Sequence, residues 1–120
     1  MRDNNQNGLI DPDYDGVDLN RNYDFNWRKL GSSNPSSWTY RGLAPFSEKE
    51  TQAKRDLTLK EKFVASVSYH SYGEVVMYQW SWPDTSAAAP DDDVTWRIAR
   101  SMAARISKLE EEGFYDITRQ

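Results

Sequence analysis

Short apolar runs and one apolar helical stripe are separated by long polar stretches along this chain. The clearest β pattern is Phe63-Val64-Ala65-Ser66-Val67-Ser68-Tyr69, where Phe63, Ala65, Val67 and Tyr69 share one face at the period of two that a strand imposes. A second β run, Val75-Val76-Met77-Tyr78-Gln79-Trp80, follows His70 and Gly73, and residues 85–90 read as a loop. Upstream, Val17 and Leu19 alternate with Asp18 and Asn20, which predicts a short strand. Ser47-Glu48-Lys49-Glu50 has the form of a capping box and predicts a helix over residues 48–59, with Ala53 and Leu57 inward. Pro90-Asp91-Asp92-Asp93 opens a second helix over residues 91–112, its acids at the positive end of the dipole. Val94, Ile98, Ala99, Met102, Ile106 and Leu109 form its apolar stripe, and Gly113 is its stop.

Residues 28–46 are rich in Gly, Ser and Pro and predict a long surface loop anchored by Trp38, Tyr40 and Phe46, which serves either function or plain connection. The order β–loop–α–β–β–α, without an internal repeat or a domain boundary, predicts an α/β domain with a helix-flanked sheet. Its 120 residues suit a single domain, and with 38% hydrophobic residues the aromatics supply much of the core area. A net charge of −4 argues against nucleic acid as a partner. No apolar run approaches the ~20 residues that span a bilayer, so no membrane partner is expected, and the polar start shows no signal peptide. The chain has no cysteine and one histidine, so a complete structural zinc site is not expected from it alone.

Three stretches carry candidate chemistry. In the first, Asp3, Asn5, Asn7, Leu9 and Asp11 alternate around Gly8, as the oxygen ligands of a calcium loop do. The twelfth position, where such loops carry Glu, is Tyr14, flanked by Asp13 and Asp15; a solvated Asn/Asp/Gly turn is the other reading. In the second, Asn20 and Asn22 bracket Arg21, whose planar fork suits a carboxylate, with the two Asn amides adding donors. An internal salt bridge from Arg21 to Asp18 or Asp24 explains the same spacing. In the third, His70 sits among Ser68, Ser71 and Tyr72. A lone histidine after a β run is ordinarily structural, whereas a neutral imidazole is also a good zinc donor.

Taken together, Gly16-Val17-Asp18-Leu19-Asn20-Arg21-Asn22, Tyr40-Arg41-Gly42, Pro45-Phe46-Ser47-Glu48-Lys49-Glu50-Thr51 and Tyr69-His70-Ser71-Tyr72-Gly73 resemble the zinc metallocarboxypeptidases of the carboxypeptidase A family. Any one motif is weak; in register they are specific. The resemblance covers residues 15–85 and implies the central part of one mixed-sheet, helix-flanked catalytic domain, roughly a third to a half of its length. It makes His70 one zinc ligand, Asn20 and Arg21 the residues that bind the substrate's C-terminal carboxylate, and Ser71 and Tyr72 the lining of the adjoining subsite. The family's His-x-x-Glu ligand motif and oxyanion arginine belong before this stretch, and its catalytic glutamate and substrate-capping tyrosine belong after it. No catalytic residue is therefore expected here, Glu110, Glu111 and Glu112 included, and the chain alone is expected to be inactive.

The implied partner is a peptide or protein C-terminus, and the implied cofactor is zinc, with calcium as a further candidate. The alternatives are a non-catalytic carboxylate-binding relative and a calcium-stabilised module. A calcium loop would suit a secreted, extracellular or periplasmic protein, and exposed strand edges would favour self-association.

Overall fold

The computed structural model describes residues 3–4, 6–11, 15–80, 89–109 and 111–119. Asn5, Asp13, Tyr14, Glu110 and most of the predicted loop at 85–90 lie outside them. The chain divides into two units, one up to Val67 and one from Ser68 onward.

The first unit is mostly hydrogen-bonded turns closed by α1 (Lys49–Glu61). The strand predicted around Val17–Asn20 is instead a 3-10 turn over Leu19–Arg21. The cause is local: the Asp18 side chain accepts from the Asn20 amide at 2.9 Å, the type of side-chain bond that competes with a strand ladder. Asp18 N donates to Tyr40 O at 2.8 Å, Ser32 N to Thr39 O at 2.9 Å and Arg41 N back to Ser32 O at 3.0 Å. These bonds fold the loop at 31–41 onto the turn. Tyr40, 5% exposed, is its buried anchor, whereas Trp38, expected as another, is 81% exposed. Phe46 is half-buried and meets Tyr23 edge to face at 5.7 Å.

The start of α1 differs from the predicted capping box. Glu48 is the N-cap and makes no side-chain capping bond, while Ser47 Oγ donates to Glu48 Oε1 at 2.7 Å. The Glu48 amide donates instead to Asn22 Oδ1, 26 residues earlier in the chain. Helix α1 runs two residues past its expected end, to Glu61, and is closed by Lys62 in the left-handed conformation, whose amide returns to Thr58 O. Its buried position is Thr51, and the expected inward residues are exposed, Leu57 by 51%. The turns of this unit meet α1 at Thr51 and at Lys54 and Arg55, whose cationic groups lie over the rings of Tyr23 and Phe46, and Ala53 and Leu57 stay exposed.

Residues 63–69, the clearest predicted strand, form no strand. A strand is held by ladder bonds to a neighbour, and none reaches this segment among the described residues. Phe63, Val64, Val67 and Tyr69 are correspondingly exposed.

The second unit is a β-α-β arrangement of β1 (Val75–Met77), α2 (Asp92–Ala103) and β2 (Asp116–Thr118). The strands are parallel, pairing Val75 with Asp116, Val76 with Ile117 and Met77 with Thr118. Parallel pairing needs a long crossover, which α2 supplies while packing on both strands. Its first turn carries Asp92 and Asp93 and its last Arg100, in the sense that complements the dipole. It ends at Ala103 and does not run to 112: Arg105 N and Ile106 N tighten to Met102 O and Ala103 O, and Ile106 O then accepts from Tyr115 N. Lys108, which bonds Glu111 and Asp116, pins the turn that brings the chain back to β2, and those two bonds hold its ammonium well above the usual lysine range.

The buried face of α2 is Ala99 and Ala103, with Thr95 and Met102 half-buried. This is the small-residue side of the predicted stripe; Val94 and Ile98 stay exposed because the two described strands are too narrow to cover both sides, and Ile106 and Leu109 lie exposed past the end of the helix. The architecture is α/β, as expected, with a smaller sheet. Among the described residues no helix is long and apolar enough to cross a membrane.

Candidate functional site

Of the sequence-predicted site residues, Asn20 and Arg21 lie together on the 3-10 turn of the first unit, and His70, Ser71 and Tyr72 belong to the second.

The turn is pinned at its start by the Asp18 cap and by Arg21 N donating to Asp18 O at 2.9 Å. Asn20 is exposed. The Arg21 side chain is 40% exposed and meets Asp18 through Nε, 3.8 Å from Oδ2. This is the internal salt bridge that spacing allowed, with Asp18 and not Asp24 as partner. At that length and exposure it is a weak bond, and among the described residues the guanidinium has no other partner. Its stem lies against the 31–39 loop: a Cβ on Gly31, φ +69°, would come within 3.0 Å of Arg21 Cγ and 2.7 Å of Thr39 O. The turn thus presents a cation whose base is fixed and whose fork is open to an acceptor.

Behind it sits Asn22, 0% exposed, whose amide is expected from the sequence to add a donor for the carboxylate but is instead committed inside the protein. Its side chain donates to Arg41 O, Ala44 O and Ser47 Oγ at 2.9, 3.2 and 2.8 Å. Its oxygen accepts from Glu48 N at 3.2 Å and Thr51 Oγ1 at 2.7 Å. Neither Asn22 nor Thr51 was legible as a site-building residue. Their shared signal is only that two small polar residues flank the recognisable motifs.

His70 is exposed, and its Nε2 lies 3.3 Å from Ser68 Oγ. Ser71 is exposed too, Tyr72 is 102% exposed, and the peptide between them is cis. Among the described residues no group of three His, Cys, Asp or Glu side chains comes together to hold a metal ion. The described residues do not by themselves make a zinc centre.

The described part of the loop read as a calcium candidate uses several of its oxygens internally, and the buried Asp3 Oδ1 is left without a hydrogen-bond partner. Asp3 Oδ2 accepts from Gly8 N at 2.9 Å and Asn7 Oδ1 from Leu9 N at 2.8 Å. The buried Asp15 accepts from Asn4 N at 2.8 Å and Asp11 N at 2.9 Å. A cation would compete with these amides for the same atoms, so the geometry gives the calcium reading no support.

The sequence model of the family described as zinc carboxypeptidase matches residues 1–120. Rat (Rattus norvegicus) carboxypeptidase A1 is 38% identical over 96 residues, a match covering 78% of this chain and 22% of the relative. A metallocarboxypeptidase A-like protein of Trichophyton verrucosum is 33% identical over 118 residues, covering 94% of this chain and 26% of the relative. The crystal structure of carboxypeptidase A from Helicoverpa armigera superposes with a TM-score of 0.74 at 25% identity, covering 93% of this chain and 28% of that one. The chain belongs to the zinc carboxypeptidase family. It spans about a quarter of the length of these relatives.

Proposed function

We propose that residues 1–120 are the central portion of a single zinc carboxypeptidase catalytic domain, whose whole protein releases C-terminal residues from peptides or proteins. In this reading Asn20 and Arg21 hold the terminal carboxylate of the substrate, Ser71 and Tyr72 line the neighbouring subsite, and His70 is one ligand of the metal. The observation that carries it is the Arg21 fork: exposed, rooted on a capped turn, and engaged only by a long contact to Asp18. A substrate carboxylate would replace that contact with two parallel charge-assisted bonds. When bound, zinc supplies a Lewis acid for the scissile carbonyl and lowers the pKa of its water. The remaining ligands and the general base come from parts of the parent outside these residues, so the chain alone is inactive.

The test compares two proteins with zinc and a peptide bearing a free C-terminus. The full-length parent is expected to release the terminal residue, and the 120-residue chain to release none. Arg21→Met in the parent should lower kcat/KM by about 100-fold or more, and amidating the peptide should have the same effect. Zinc-dependent turnover by the chain alone would overturn the assignment of ligands and base to other segments. A parent that binds the carboxylate peptide without cleaving it would convert the reading to a binding relative.

In isolation the chain is also proposed to self-associate through Phe63, Val64, Val67, Tyr69 and Tyr72, which are exposed together along one segment.

A further inference from the structure

We propose that Asn22 is a positioning residue for the Arg21 guanidinium, a claim that rests on the carboxylate-binding role given to Arg21 above.

Asn22 is the largest fully buried side chain among the described residues, together with Thr51, and it is polar. A buried amide is costly unless every donor and acceptor is met. Here all are met, and by groups far apart in the chain. Carbonyls of Arg41 and Ala44 and the Ser47 hydroxyl surround the amide nitrogen. The Glu48 amide and the Thr51 hydroxyl converge on the oxygen. The orientation is unambiguous, because two carbonyls require the NH2 end and a backbone N–H requires the oxygen end. The main chain is held as well: Phe46 N donates to Asn22 O at 2.7 Å, and Asn22 N donates to Leu19 O at 3.3 Å.

One residue therefore ties the end of the 3-10 turn to the 41–47 loop and to the first turn of α1. It also supplies the cap acceptor that the Ser47–Glu50 box does not. Arg21 is its immediate neighbour and has little else to fix it, since its pairing with Asp18 is long. Its backbone direction is set on one side by the Asp18 cap and on the other by Asn22, and its stem rests against Gly31. Removing the Asn22 amide frees the C-terminal side of the turn while leaving every charged atom in place. The fork then samples orientations that no longer meet both oxygens of a carboxylate, and each lost orientation weakens substrate binding before any chemistry occurs.

The test uses the full-length, zinc-loaded parent and a peptide with a free C-terminus. Asn22→Ala is expected to raise KM about tenfold with kcat within about twofold, and Thr51→Val, which removes one partner of the amide oxygen and nearly preserves shape, to raise KM about threefold. A purely structural loss would instead cut the active fraction, lowering apparent kcat at unchanged KM. In an Arg21→Met background Thr51→Val should raise KM no further, because the route through Arg21 is already gone. Unchanged KM in Thr51→Val, or full additivity with Arg21→Met, overturns the positioning role and leaves the proposed function standing. A wild-type parent indifferent to amidation of the peptide overturns the function of Arg21, and the positioning claim falls with it.

Discussion

The turn at Asp18–Asn22 and the segment at Tyr69–Tyr72 carry the two strongest motifs of the chain, and they are built in opposite ways. The first is tied by bonds made wholly within residues 18–51: a side-chain cap from Asp18, a buried amide at Asn22 and a main-chain bond to Tyr40. Among the described residues the second has a single long side-chain contact, Ser68 to His70, and its aromatic residues are exposed. Recognition of a carboxylate needs one oriented cation, which a short stretch of turns can hold by itself. A metal site needs donors from several elements at once, and a strand that offers one donor gains its shape from neighbours in a sheet. The first motif is locally complete among the described residues, whereas the second is held by little within them.

The sharpest way to break this contrast is Gly42→Ala. Gly42 has φ +87°, and a Cβ there would lie 2.5 Å from Ser47 Oγ and 2.6 Å from Asn22 Nδ2. The substitution strains the backbone and displaces the amide from its partners together. A loss of about 3 kcal/mol is expected in chemical denaturation, the upper part of the range for point substitutions. A loss under about 0.5 kcal/mol would mean that the hub tolerates a shift, and the first motif would then be no better built than the second.

Much of this was legible in the sequence, and the parts that were not share a cause. Family, α/β class and the existence of both helices follow from motifs and periodicity, which depend on local chemistry. The errors lie where a distant partner, or the lack of one, decides. Val17–Asn20 alternates like a strand, but the Asp18 carboxylate reached the Asn20 amide first. Ser47 and Glu50 spell a capping box, but Asn22 supplies the acceptor from 26 residues away. Residues 63–69 have strand periodicity without a ladder, because periodicity reports which face would be buried and says nothing about who pairs. The stripe on α2 was read at full width, although the strands it meets cover only its alanine side. In the candidate site, Arg21 and His70 were visible because their chemistry is rare. Asn22 was not, since a buried asparagine and a turn asparagine look the same in one dimension.

A smaller effect is expected at the cap itself. Asp18→Ala removes the acceptor of the Asn20 amide and the only ion pair of Arg21 among the described residues. The cap accounts for a loss of about 1 kcal/mol, and the long ion pair adds little. Asp18→Asn keeps an acceptor for the amide and removes the charge, so it should recover most of the stability. If Asp18→Asn is as unstable as Asp18→Ala in denaturation curves, the ion pair and not the cap holds the turn, and Arg21 is less available than its exposure implies.

The smallest effect on stability is expected in the second motif, where Tyr69→Ser and Val67→Thr should each fall within about 0.5 kcal/mol of the parent chain, because neither residue is packed. Their effect should appear elsewhere. An apolar segment without ladder partners lowers its free energy by pairing with another copy, so sedimentation of the 120-residue chain should show concentration-dependent association that both substitutions weaken. His70→Ala, which removes a donor and little apolar area, should leave that association unchanged. A destabilisation above about 1 kcal/mol in Tyr69→Ser would show that the segment is packed within the chain, and the contrast with Asp18–Asn22 would then be one of degree. A small change in stability coupled to a large change in association would place the segment at 63–72 among elements whose order comes from what they pair with.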